Sequence, residues 1–84
     1  MKTMKEFMQY FLNYYVRDIV KTMIEKYGYD EKTALKEFLD SETYKMLENY
    51  KMEMWEFGCM AILEMWECEK ITGNVLNSPY LSVN

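Results

Sequence analysis

Residues 52–69, MEMWEFGCMAILEMWECE, hold both tryptophans and both cysteines of the chain and repeat the triplet Met-Trp-Glu eleven residues apart. As one unbroken helix, that spacing turns through almost three full turns and puts Trp55 and Trp66 on one face. Gly58 opposes this reading. In a helix interior it costs about 1 kcal/mol relative to alanine, whereas it is acceptable as an N-cap. Met52, Glu53 and Met54 also alternate in polarity, which suits a short extended passage. The stretch is therefore expected to break between about Asn49 and Gly58. A final helix follows over 59–71, and Gly73 terminates it. Trp55 then belongs to an irregular segment and Trp66 to a helix, so the spacing of the triplets is coincidental.

Upstream of the break the periodicity is helical. Lys5, Gln9, Asn13, Arg17, Lys21 and Glu25 recur every fourth position and leave a broad apolar surface including Phe7, Phe11, Tyr15, Ile19 and Met23, which predicts an amphipathic helix over 4–27. Gly28 can take the left-handed residue after its last turn. Asp30 is the natural N-cap of a short helix over 31–39, with Ala34, Leu35 and Phe38 facing inward. Asp40 and Ser41 punctuate the chain again, and Tyr44, Leu47 and Tyr50 beside outward Glu42, Lys45 and Asn49 predict a third helix over 42–49. The expected fold is all-α, a single domain over 1–84 built as a small bundle of about four helices, with an irregular tail over 74–84.

The run ALKEFLDSETYKMLENYKMEMW, residues 34–55, resembles a layout of small uncharacterised all-helical bacterial proteins that are sometimes met near toxin and antitoxin genes. The shared features are Ala-Leu, an aromatic, Ser, an aromatic and Leu, followed by a turn and an aromatic. They cover about a quarter of the chain and are core and cap residues, so the resemblance implies a fold and an accessory role beside another gene product, without a site. Glu53 stands where a glycine usually occupies the turn in the similar sequences.

Charge and composition narrow the function. The net charge of −4 is uneven: residues 1–41 carry seven acidic and seven basic side chains, and residues 42–84 carry seven acidic and three basic. Nucleic-acid affinity depends on cations that neutralise phosphate. Helices 31–39 and 42–49 could be mistaken for a helix-turn-helix, but the second would offer Glu42 and Glu48 to the groove, so no nucleic-acid partner is expected. Gln9, Asn13, Arg17 and Asp18 interrupt the N-terminal apolar run well short of a membrane span, so no membrane role is expected either. With no signal peptide, the two cysteines are expected to be reduced thiols in a cytoplasmic protein. The chain contains no histidine, which removes the usual zinc sets and nucleophile triads, and its three glycines are isolated. No catalytic residue, cofactor or metal is expected.

Two candidate sites remain. The helix over 59–71 is apolar on most sides, with a narrow polar stripe of Glu64, Glu67 and Lys70. Such a helix is either covered by a second subunit or partner, through Met60, Leu63, Trp66 and Ile71, or it is the centre of a monomer's core, which leaves the first helix as the surface for an unrelated partner. The first alternative describes a protein-interaction module, self-associating as a homodimer or bound to another bacterial protein. A different class of reading is a small-molecule binder with an aromatic and methionine pocket between the first and last helices, formed by Tyr14, Tyr15, Trp55 and Met65. Glu64 and Glu67 read most simply as a solvated stripe with Lys70 as counterion. Cys59, although at a helix start, is expected to be buried and inert, and Cys59 and Cys68 point to opposite sides of their helix.

Overall fold

The computed structural model describes residues 4–81, with the side chains of residues 6, 7 and 9–81. Among the described residues, four helices make up the bundle: α1 (Met4–Tyr27), α2 (Glu31–Leu39), α3 (Glu42–Glu48) and α4 (Gly58–Thr72). No strand occurs among the described residues, and the expected all-α architecture is the one observed. Residues 1–3 and 82–84, which the expected domain and its tail include, lie outside the described residues.

Cap chemistry sets the helix ends. Asp30 occupies the N-cap of α2 in an extended conformation without a side-chain capping hydrogen bond, and the nearby Thr33 side chain is the main influence holding its carboxyl below the ordinary range. Ser41 caps α3 by accepting the Tyr44 N–H at 3.1 Å, while its hydroxyl donates to the Phe38 carbonyl at 2.6 Å and ties the end of α2 to the start of α3.

The break falls where Gly58 requires it, but its form differs from an extended passage. Two short 3-10 turns, Tyr50–Met52 and Met54–Phe57, meet at Glu53, whose φ of 53° and ψ of 35° are left-handed. That reversal buries Met54 and leaves Met52 exposed, so the alternation in the sequence reflects a turn. Gly58 has φ 82° and ψ 164°, a combination open almost only to glycine, and α4 begins at this residue.

Burial centres on α4. Ala61, Ile62, Leu63, Met65 and Trp66 are all buried, enclosed by Ile19 and Met23 of α1, Leu47 of α3, Met54 of the second 3-10 turn and Val75 beyond the helix. The segment after Gly73, expected as irregular, folds into a further 3-10 turn at Val75–Asn77 that packs on α4 with Val75 and Ser78 buried. The molecule is a slab of 41 × 36 × 18 Å. Its short dimension corresponds to two helix layers of about 10 Å each.

The polar residues of α4 join it to its neighbours, which corrects the reading of a solvated stripe. Glu64 accepts from the Tyr80 hydroxyl, Glu67 from Lys26 and Tyr27 at the end of α1, and Lys70 pairs with Glu37 of α2 instead of serving as counterion within its own helix. Desolvation pushes the Glu67 carboxyl up, but the hydrogen bonds from Lys26 and Tyr27 outweigh it and leave the group below its ordinary value of 4.5.

Candidate functional site

The four residues proposed as an interface on the last helix do not form one surface. Leu63 and Trp66 are 3% and 2% exposed, whereas Met60 and Ile71 are 67% and 84% exposed. Ala61, Ile62, Leu63, Met65 and Trp66 are covered inside the chain, because α1, α3, the second 3-10 turn and the Val75–Asn77 turn pack against α4. Trp66 in particular lies against the rings of Tyr27 and Tyr29, at centroid distances of 6.1 and 6.4 Å, with the Lys70 ammonium 5.8 Å from its own ring centroid. Its indole N–H is buried without a hydrogen-bond partner. It is a core residue of the monomer.

The pocket residues also separate. Met65 is fully buried, and Tyr15 is buried with its hydroxyl donating to the Trp55 backbone carbonyl. Tyr14 is 64% exposed and points away from the core. The hollow that Tyr14 lines contains none of the other three. A hollow of about 100 Å³ does lie between α1 and α4, but Asp18, Ile19, Thr22, Cys59, Met60 and Leu63 line it, and none of the four expected residues does.

A different surface emerges on α1. Phe7 and Phe11, read as part of the apolar face of this helix, are exposed, and the core register is carried by Leu12, Tyr15, Ile19 and Met23. Every described side chain from Glu6 to Phe11 is exposed. The reason is helical phase: at about 100° per residue a four-residue spacing drifts around the helix, so Phe7 and Phe11 stand about 120° and 80° round from Ile19, and Tyr10 and Tyr14 stand farther round still, on the side away from the core. That drift is the signal a count of every fourth residue misses.

Phe7, Tyr10, Phe11 and Tyr14 stand at i, i+3, i+4 and i+7 and form one row along a shallow hollow of about 490 Å³. Phe7 and Phe11 pack edge to face at 5.2 Å. Further along the same helix, a groove of about 520 Å³ runs between α1 and α2, walled by Val16, Val20, Ile24, Leu35, Leu39 and Tyr44. Arg17, Lys21 and Glu31 also line it, and neither Arg17 nor Lys21 has an ion-pair partner among the described residues.

Elsewhere the chemistry is quiet. Burial pushes the Cys59 thiol up to about 12, with the nearby Asp18 acting in the same direction, so the helix start does not activate it. Both cysteines are free and half-buried. Among the described residues, no group of three or more potential ligands is placed to hold a metal ion, and no helix is long and apolar enough to cross a membrane. No protein-family model, curated protein or solved structure matches this chain.

Proposed function

We propose that this chain is a non-enzymatic, cytoplasmic protein-interaction module that binds through the outer face of the N-terminal half of α1. The observation that carries the reading is the aromatic row: Phe7, Tyr10, Phe11 and Tyr14 are 53%, 62%, 37% and 64% exposed on one helical face. With 150–250 Å² per aromatic side chain, the row presents about 400 Å² of mostly apolar surface, a size associated with binding patches on small proteins. Spacing at i, i+3, i+4 and i+7 is the anchor pattern of a helix seated in a groove. An accessory role beside another bacterial protein, implied by the resemblance of residues 34–55, agrees with such a surface. The absence of histidine and the suppressed ionisation of Cys59 leave little for acid–base or thiolate catalysis.

Affinity purification from the native cell tests this with three baits: the unaltered chain, the double variant Phe7→Ser/Tyr14→Ser, and Ile71→Ser as an exposed control on α4. A partner retained by the first and third baits and lost from the second is the expected result. The same set of proteins on all three would remove α1 as the binding face.

A further inference from the structure

We propose that the groove between α1 and α2 binds a medium-chain carboxylate, a small amphiphile with one apolar chain and one anionic head. The site is separate from the aromatic row, whose centre lies about 100° away around α1. The inference therefore goes beyond the interaction role and stands or falls without it.

Helical phase builds the groove. Val16, Val20 and Ile24 recur every fourth residue of α1 along it, with Val20 buried and the other two half-buried, and they form an apolar floor. Arg17 and Lys21 each follow a floor valine by one residue, about 100° further round the helix, and stand exposed along one rim. Leu35 and Leu39, one turn apart on α2 and each 38% exposed, form the other rim. One rim is cationic and the other is apolar.

That asymmetry selects the ligand. An alkyl chain laid on the valine floor covers the exposed sides of Leu35 and Leu39 and removes apolar surface from water on both partners. A carboxylate at its end meets Arg17 and Lys21, neither of which has an ion-pair partner among the described residues, whereas Lys26, Lys45 and Lys70 already pair with glutamates. A neutral chain would leave the cationic rim unmatched, and a cationic head would be repelled by it.

Size and the ends of the groove favour a small molecule over a partner helix. The groove holds about 520 Å³, within the range of about 300–1,000 Å³ typical of small-ligand sites. Its α1 wall, from Asn13 to Ile24, runs about 16 Å, which an extended chain of medium length can follow. Glu31, the first residue of α2, lines the groove on the side of the interhelix connection, and Tyr44 of α3 lines it where α2 finishes. A helix about 10 Å across would have to pass the Tyr44 ring and, to match Arg17 and Lys21, carry its own acids along a groove that ends at Glu31.

Methyl and aromatic NMR of the full chain at neutral pH, titrated with sodium decanoate below its micellar range, tests the site, with circular dichroism to confirm that each variant is folded. The expected result is saturable one-to-one binding that shifts the methyl signals of Val16, Val20, Leu35 and Leu39. Decanol and decyltrimethylammonium, which keep the chain and lack the negative head, should bind the unaltered protein about tenfold more weakly, a readout that needs no variant. Arg17→Gln/Lys21→Gln should weaken decanoate about tenfold and leave decanol unchanged, whereas Leu35→Asn should weaken both. Absence of saturable shifts with decanoate overturns the site, as do equal affinities for the three amphiphiles or shifts confined to the rings of the Phe7–Tyr14 row. A copurifying protein lost from an Arg17→Gln/Lys21→Gln bait, together with no decanoate binding, overturns the ligand and gives the groove to an acidic protein surface.

Discussion

Glu69 of α4 holds Thr43 of α3 at two points: its Oε1 accepts the Thr43 amide N–H at 2.9 Å and the Thr43 hydroxyl at 2.7 Å. The other oxygen, Oε2, accepts the Glu42 N–H at 2.9 Å. A helix of seven residues is far too short to persist alone, and its first N–H groups have no partner within it. A carboxylate from the central helix satisfies two of them at the positive end of the α3 dipole. Thr43 can then be fully buried.

Removing that carboxylate should loosen α3. Glu69→Ala is expected to cost about 2 kcal/mol, the range of charge-assisted hydrogen bonds, and Glu69→Gln about 1 kcal/mol because the amide oxygen still accepts. Thermal unfolding followed by circular dichroism reads this directly, since each kcal/mol lowers the melting temperature of a domain this size by about 4–8 °C. Wild-type melting in both variants would show that Ser41 caps the helix sufficiently.

Trp66→Glu should abolish folding. The carboxylate would enter a site that is 2% exposed, and an unpaired buried charge costs several kcal/mol, comparable to the whole stability of a small domain. Loss of the helical dichroism signal is the expected outcome. A folded, soluble Trp66→Glu chain would return α4 to the interface.

Two backbone positions make opposite predictions. Glu53 is the one non-glycine residue with positive φ among those described, so Glu53→Gly should raise stability by about 1 kcal/mol despite the added freedom of the unfolded chain. Gly58→Ala should lower it by about 1–3 kcal/mol, even though open space surrounds the position where a Cβ would stand, because φ 82° with ψ 164° excludes an L side chain. Urea unfolding midpoints at constant m-value decide both.

The folded state should weaken on the alkaline side. Burial raises the Cys59 thiol from 9.0 to about 12, so the native state holds this proton more tightly than the unfolded chain does. Its contribution is fully present below about pH 9 and is lost as pH rises toward 12. Lys26 and Tyr27, raised chiefly by their hydrogen bonds to Glu67, act in the same sense above their ordinary values of 10.5 and 10.0. Cys59→Ala should flatten the lower part of this limb in denaturant titrations. In the unaltered chain, thiol reagents should label Cys59 slowly at neutral pH and rapidly after denaturation.

The acid limb has the opposite sign. Glu67 lies below 4.5 in the folded chain, so its contribution is present above that value and disappears as pH falls through the lower, folded one. Lys26→Met removes the counterion, and the acid midpoint should move upward in pH. An unchanged midpoint would mean that the Tyr27 hydroxyl alone holds the carboxylate.

Helix boundaries were legible in the amino-acid order because short-range chemistry decides them. The polar residues spaced four apart in α1, Asp30 and Ser41 at their caps, and Gly58 and Gly73 at the ends of α4 act on neighbours within a turn, and no distant contact overrides them. Phe7, Phe11 and Trp66 were not legible in the same way. All three are large apolar residues at helical spacing, and whether such a residue is covered depends on what stands opposite it. That is set by how a long α1 and short α2 and α3 pack around α4. Burial of Trp66 by Tyr27 and Tyr29, exposure of the Phe7–Tyr14 row on the side of α1 away from the core, and the pairing of Glu69 with Thr43 across 26 residues all follow from that packing. Spacing along the chain determines which residues share a face, and only the tertiary arrangement decides which faces meet, because burial is a property of the space between elements.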